Sequence, residues 1–269
     1  MLVVIRGAGD LASGIALRLL RSGLQVMMTD LPKPLAIRRS VAFCEAIRLG
    51  QVTVEGVTAR FAPDANAARQ LLKEDVLPVL ADPEGRCIGE LKPTAVVDAI
   101  LAKRNLGTRI TDAPVVIGVG PGFTAGQDCH AVVETMRGHT LGRVIYEGSA
   151  LPNTNIPGLI GGFAGERVLR APATGVFHGV LEIGAKVKAG DTAAYVEGQP
   201  MRCTIDGVLR GLIADGTLVK KGLKCGDVDP RGDTAYCALS SDKALAIGGG
   251  VLEAILHFSG RLKEDRYGQ

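Results

Sequence analysis

The chain begins with an unbroken apolar run, Leu2-Val3-Val4-Ile5, then Gly7-Ala8-Gly9. Apolar residues follow at helical spacing, Leu11, Ile15 and Leu19, with Ala12, Ala16 and Leu20 beside them. A continuous β-branched run is the pattern of a strand buried on both faces, and recurrence every three to four residues marks one broad helix face. Gly23 stands where a helix is commonly closed, and residues 24–30 again read as a strand. Strand, glycine turn, helix and strand in this order make a βαβ unit.

Farther along, the pattern predicts helices over 35–49, 64–74 and 127–136, and a hairpin around Gly56. Strands are predicted over 76–80, 95–101 (equally compatible with a helix), 115–119 and 143–146. Alternating strands and helices predict a Rossmann-like, mostly parallel sheet with helices on both faces. Residues 148–168 are rich in Gly, Pro and Asn and read as a linker or functional loop. The pattern then changes. Segments 175–190 and 207–222 share seven of sixteen residues at an offset of 32, which is an internal repeat. Two such halves, each too small to bury a face alone, predict a small flattened barrel.

The expected organisation is therefore an α/β domain over 1–168 and a small all-β, lipoyl-like barrel-sandwich domain over 169–230. A C-terminal helix over 240–260 is expected to return to the first domain. That helix contains Gly248-Gly249-Gly250, and each glycine costs about 1 kcal/mol relative to alanine inside a helix. Either the helix breaks there or another backbone packs very close.

Hydrophobic residues make up 46% of the chain, enough for a substantial core. A net charge of +3 and the absence of Trp argue against a nucleic-acid partner, which calls for a basic face and stacking surfaces. Six cysteines are scattered with no C-x-x-C pair, so neither a disulfide framework nor a zinc knuckle is expected, and a reducing compartment is. No basic leader precedes a long apolar stretch, and no apolar run approaches the ~18 residues that would span a bilayer. The sequence thus predicts a cytoplasmic, soluble protein, with no membrane partner; a homo-oligomer is compatible with it.

Two glycine-rich segments carry the candidate chemistry. Gly7, Ala8, Gly9, Asp10, Leu11 and Ala12 match G-x-G-x-x-A, in which glycines allow a tight turn and the close approach of a phosphate to a helix N-terminus. Asp30, at the end of the second strand, stands where a carboxylate meets a ribose hydroxyl, and Arg38 and Arg39 after it suit a 2′-phosphate or another anion. Asp10, by contrast, could itself cap the helix and occupy those donors. The second segment, Gly118 through Gly126, includes Gly120, Pro121, Gly122, Phe123 and Thr124 and reads as an anion-binding nest after a strand. It has no Gly-Lys-Ser/Thr and is not a Walker A loop.

Asp128, His130 and Glu134 follow. On a helix, His130 and Glu134 share a face and are candidates for acid/base work or part of a metal site, with solvated surface residues as the plainer alternative. No metal can be named from their spacing. Cys129 would be activated by a helix N-terminus, or is simply packed. Asp98, Lys103, Arg104 and Asn105 cluster after the next strand, where either basic residue could meet a phosphate. Ser149 is not in a G-x-S-x-G elbow. The turn between the repeat halves, Glu197-Gly198-Gln199-Pro200-Met201, lacks the lysine of a carrier domain, so swinging-arm carriage is not expected.

The stretches GAGDLASG, TDLPKP, AILAKRNLGTR, GVGPGFTAG, DCHAVVET, VIYEGSALPNT and IGGGVLEAIL together resemble the YqeB family. That family is the accessory protein of selenium-dependent molybdenum hydroxylase systems, and the resemblance runs over nearly the whole chain. The α/β part is distantly similar to XdhC-type maturation factors, which handle molybdenum cofactor. The resemblance implies a maturation factor that binds molybdenum cofactor (molybdopterin or its dinucleotide form) and serves a molybdenum hydroxylase client. It implies no settled reaction. The glycine loops alone accommodate NAD(P) equally well, which leaves an NAD(P)-dependent oxidoreductase as a second reading. A non-catalytic scaffold docking the client enzyme is a third.

Overall fold

The computed structural model describes residues 1–154 and 157–260. It divides into two compact units. The first contains Met1–Pro34, Phe43–Asn153 and the C-terminal segment from Ser240; the second contains Leu35–Ala42 and Thr154–Leu239. The boundary before the repeat region therefore falls at 153/154, against the expected 168/169, and Leu35–Ala42 joins the second unit. Residues 155–156 of the expected linker lie outside the described residues.

The first unit is built on a nine-stranded sheet. In chain order its strands are β1 (Leu2–Arg6), β2 (Gln25–Thr29), β3 (Gln51–Val54), β4 (Val57–Ala62), β5 (Leu77–Leu80), β6 (Ala95–Asp98), β7 (Val115–Val119), β8 (Ala131–Val133) and β9 (Val144–Ile145). Their spatial order is β3-β4-β5-β2-β1-β6-β7-β8-β9. The helices are α1 (Asp10–Arg21), α2 (Glu45–Leu49), α3 (Ala65–Lys73), α4 (Cys87–Leu91) and α5 (Asp242–Phe258).

The expected fold class needs correction. The sheet is mixed: β3 runs antiparallel to β4, and β9 to β8, at its two edges. The connections from β6 to β7 and from β7 to β8 contain no helix. Residues 127–136 form β8 and its flanks instead of a helix, because Ala131-Val132-Val133 pairs in parallel with Ile117–Val119. The proposed helix over 35–49 is a single 3-10 turn, Arg39–Val41, and the short α2. Its first part leaves with the second unit. The repeat region likewise forms two separate four-stranded antiparallel sheets in place of the lipoyl-like barrel-sandwich.

Those two sheets comprise β10 (Val168–Arg170), β11 (Gly175–Gly179), β12 (Lys186–Val187), β13 (Thr192–Val196), β14 (Gln199–Arg202), β15 (Gly207–Leu212), β16 (Leu218–Val219) and β17 (Lys224–Asp229). Their orders are β10-β17-β15-β12 and β14-β13-β11-β16. The repeat explains the exchange: β11 of the first copy pairs with β16 of the second, and β12 of the first with β15 of the second. One apolar core, including Phe177, Val187, Val196, Leu209, Val219 and Val228, is shared between the sheets.

All six cysteines are buried and free. None of their thiols is expected to react with Ellman's reagent in the native protein, and all six should react after denaturation in urea. A native thiol reacting at the rate of a free model thiol would contradict this packing.

Candidate anion-binding site

β1, β6 and β7 are adjacent and parallel, so the segments following Arg6, Asp98 and Val119 leave the same end of the sheet. Between β1 and β6 the direction of strand order reverses, which is where open α/β sheets place ligands. Both glycine-rich segments thus lie at one end of one sheet, a single strand apart.

What lies between them is the protein's own chain. Gly7 has φ +94°, and a Cβ there would stand 2.7 Å from the Ala99 carbonyl oxygen. A Cβ on Gly122, φ +113°, would stand 2.6 Å from the Arg104 backbone. Both glycines therefore make room for the 99–104 loop. In that loop Leu101 and Lys103 adopt positive φ, 60° and 63°, a strained state for side-chain-bearing residues. Below it Asp98 is 1% exposed. It accepts from Thr108 Oγ1 at 2.6 Å and from the Ile100 N–H at 3.1 Å, and it pairs with buried Arg6 at 3.5 Å. Asn105 ties the loop down by accepting from the Gly107 and Thr108 N–H groups.

The second glycine segment is folded on itself. A Cβ on Gly118 would collide with the Phe123 ring, and one on Gly120 with Thr135. The Gly120, Thr124, Ala125 and Gly126 N–H groups donate to Val133 O, Asp128 Oδ2, Gly148 O and Cys129 O. Pro121 has no N–H. Few donors of this segment remain for a guest.

The first segment differs. Gly9 has φ −70°, which any residue adopts, and a Cβ there would meet no heavy atom within 4 Å. Neither backbone strain nor packing calls for glycine at this position. Helix α1 begins directly after it with no side-chain cap. The N–H groups of Gly9, Asp10 and Leu11 have no acceptor among the described residues. The Ala8 N–H, by contrast, donates to Asp30 Oδ2 at 2.7 Å, and Asp30 Oδ1 accepts from Leu31. Burial pushes the Asp30 carboxyl upward, and these two hydrogen bonds partly oppose it. The Ala8 carbonyl accepts from Cys44 N–H and Ser13 Oγ. Ala12 packs in the core.

Lys243, in the first turn of α5, supplies positive charge here. It is half-buried and has no hydrogen bond or ion pair among the described residues. Burial first, and then the Arg137 charge, push its ammonium below the ordinary lysine value; Asp10, Glu134 and Asp242 act in the other direction. Lys243 was not legible as a site residue, since it lies more than two hundred residues from Asp10. A lone lysine at a helix start carries no sequence signal.

The remaining candidates separate. His130 and Glu134 share no helix. His130 stands opposite the start of β7, with Nδ1 accepting from the Val116 N–H at 3.0 Å. Glu134 lies past the other end of β8, about 13 Å along an extended chain. Its carboxylate is 2% exposed and accepts from the N–H groups of Thr135, Met136 and Leu151. Asp128 holds Thr124 N–H and Asn105 Nδ2. The acid/base grouping is thus replaced by three separate structural roles. Cys129 precedes no helix, and burial raises its thiol to about 11. Arg38 and Arg39 belong to the second unit, where they donate to the Tyr236, Leu239 and Leu212 carbonyls. Among the described residues there is no metal-binding group of three or more His, Cys, Asp or Glu, and no helix is long and apolar enough to cross a membrane.

No family model matches the chain. Solved structures with partial likeness include a product-bound ectoine utilization protein EutE (DoeB) from Ruegeria pomeroyi, at 23% identity and TM-score 0.22 over 31% of this chain and 27% of that one. An aspartoacylase family protein from Mesorhizobium loti is 10% identical with TM-score 0.28, covering 84% of both chains. A succinylglutamate desuccinylase/aspartoacylase from Rhodobacter sphaeroides is 15% identical with TM-score 0.26, over 84% of this chain and 85% of that one. At these scores the likenesses carry no argument. A curated relative, "Uncharacterized protein YqeB" from Escherichia coli (strain K12), is 54% identical over 255 residues. The match takes in 95% of this chain but 47% of that protein, so the chain spans about half the length of the relative. Over nearly all of its length, then, the chain is homologous to YqeB, which supports the family resemblance carried by its motifs.

Proposed function

We propose that the first unit holds a phosphate-bearing small ligand at the start of α1. The phosphate rests on the N–H groups of Gly9, Asp10 and Leu11, and Lys243 supplies counter-charge. The observation that carries this reading is Gly9, a glycine needed neither for its own conformation nor for any neighbour. It stands before a helix terminus with no side-chain cap, whose first-turn Asp10 leaves the N–H groups of residues 9–11 without an acceptor. The family resemblance extends the proposal to molybdenum cofactor as the ligand and to a role in maturing a selenium-dependent molybdenum hydroxylase. The terminal phosphate of the pterin, or the pyrophosphate of its dinucleotide form, is the group these donors suit. The Asp30 carboxylate is committed to Ala8 and Leu31, which weighs against its holding a ribose and so against the NAD(P) reading.

A thermal-shift panel with molybdopterin, CTP, NAD(H) and NADP(H) tests the proposal, since a ligand at 100 times its Kd adds about 2.7 kcal/mol. The decisive variant is Gly9→Asp. An aspartate at this position caps α1 and complements its dipole, so the ligand-free protein should be as stable or more stable, by up to about 1 kcal/mol. The same carboxylate repels an anion and occupies its donors, so the ligand-induced shift should disappear. Lys243→Met should weaken binding by roughly 10- to 100-fold, the usual worth of one charge-assisted hydrogen bond. It should not destabilise the free protein, because the lysine is held there against its ordinary ionisation. A Gly9→Asp protein that still binds at full affinity, or a wild type indifferent to the whole panel at millimolar concentration, would overturn the reading.

A further inference from the structure

The span of chain between the two glycine segments is held unevenly by the rest of the first unit. Its two ends are fixed. On the near side the Ala99 N–H donates to Arg6 O at 2.8 Å, and the Ile100 N–H donates to Asp98 Oδ1 at 3.1 Å. On the far side Asn105 Nδ2 donates to Thr108 O at 2.8 Å and to Asp128 Oδ1 at 3.2 Å. Buried Thr108 donates to Asp98 and accepts from Arg6, which ties the two ends together. The residues between them differ. Leu101, Ala102 and Arg104 neither donate nor accept a main-chain hydrogen bond among the described residues, and residues 102–104 are exposed. Leu101 and Lys103 hold φ of 60° and 63°.

This span fills the crevice in which open α/β sheets place ligands. Its start lies on Gly7, where a Cβ would stand 2.7 Å from Ala99 O and 3.0 Å from Ile100 N. Leu101 Cδ2 would be 3.6 Å from a Cβ on Gly120, and the Arg104 backbone lies 2.6 Å from one on Gly122. Under Arg104 the N–H groups of Gly122 and Phe123 have no acceptor among the described residues, whereas the neighbouring Gly120 and Thr124 N–H groups are taken. Two adjacent donors are thus covered by backbone that does not bond to them. A span with anchored ends, without main-chain bonding and with two residues in the left-handed region, is the kind that opens at low free energy.

We propose that residues 101–104 are a gate over this crevice. In the form described they close it. Lifted, they admit the organic part of the ligand whose phosphate rests at Gly9, Asp10 and Leu11, and an acceptor atom on that part takes the Gly122 and Phe123 N–H groups. The anchors at Asp98, Asn105 and Thr108 stay in place, so the motion is confined to the four residues between them. Lifting also releases Leu101 and Lys103 from positive φ, which offsets part of the lost packing. The gate rests on the proposed phosphate site for its ligand but not for its motion.

Three variants test it: Lys103→Asn, Lys103→Ala and Lys103→Val. All lose the ammonium group alike, so they differ in how readily residue 103 keeps a positive φ, asparagine most and β-branched valine least. In the ligand-free protein, trypsin cleavage after Arg104 should quicken in the order Asn, Ala, Val, by about ten-fold overall. CTP affinity should rise in the same order by about ten-fold, because a closed gate lowers apparent affinity by the fraction of molecules that are open. Inorganic phosphate, which has no organic part to admit, should bind all three alike. Equal cleavage rates in the three variants would overturn the gate. So would tightest CTP binding by the asparagine variant, which would make the described conformation the binding form. Binding of neither phosphate nor CTP to any variant, with cleavage still ordered, would overturn the phosphate site, while the ordered cleavage would uphold the motion.

Discussion

Replacing Asp227 by alanine should destabilise the second unit by about 3–5 kcal/mol, the cost of leaving buried charge unpaired. Asp227 is 2% exposed and stands between two buried guanidinium groups. Arg167 Nη1 donates to Oδ1 at 2.8 Å, and Arg210 Nε donates to Oδ2 at 2.9 Å, with a second contact from Arg210 Nη2. Arg210 also donates to Asp229, which in turn accepts from Arg231 at 2.7 and 2.9 Å. Removing Asp227 leaves Arg167 without its carboxylate and Arg210 with one partner in place of two. Asp227→Asn should cost less, since an amide oxygen still accepts. Urea denaturation followed by circular dichroism checks both. A loss under 1 kcal/mol for the alanine variant would mean that water reaches the guanidinium groups and the network is not dry.

The same network sets a pH dependence. Burial raises the Asp229 carboxyl, but hydrogen bonds from Arg231 and the charges of Arg210 and Arg231 outweigh it, and the net displacement is downward. A carboxyl whose folded-state pKa is depressed contributes stability that is complete above its unfolded value, about 3.9, and is lost as pH falls through the folded value. The second unit should therefore loosen on acidification below about pH 4. Amide exchange in β15 and β17 should report this.

The second large effect concerns the glycine triplet of α5. Gly250→Ala should destabilise the first unit by about 1–3 kcal/mol, the usual range for overpacking, despite alanine's better helix propensity. Its Cβ would stand 2.1 Å from the Gly142 carbonyl oxygen and 2.9 Å from Val133. Backbone at that position cannot move aside without displacing the 138–142 loop. Gly249→Ala should act in the opposite sense and stabilise by up to about 1 kcal/mol, because a Cβ there meets nothing within 4 Å. Thermal melts of the two variants one residue apart separate propensity from packing. Equal shifts would mean that α5 is not held against that loop.

The similarity to YqeB and the 32-residue repeat are legible in the sequence, because both are local or self-referential signals. Helix α1 follows from apolar spacing and its glycine start, and the β3–β4 hairpin from its turn at Gly56; the helix expected over 64–74 is α3, which the structure shows capped by Asp64. The Gly248-Gly249-Gly250 triplet was likewise legible as either a break or a close approach. Which of the two applied required the neighbouring chain.

Local pattern misleads where a short segment takes its form from a distant partner. Ala131-Val132-Val133 is a strand because β7 offers it a free edge, although the flanking Asp128 and Glu134 suggest a helix. Local pattern therefore sufficed for elements whose own periodicity outweighs their surroundings: the first strands, α1, α3, α5 and the twofold repeat. Tertiary contacts alone decided the edge strands, the capture of Leu35–Ala42 by the second unit, and the meaning of each glycine. Gly7, Gly118, Gly120 and Gly122 are set by backbone or side chains that approach within 3 Å from elsewhere in the chain. Gly9 is distinguished only by the empty space before it. A glycine's spelling is the same in both cases, because what a missing side chain makes room for is a property of the neighbour and not of the residue.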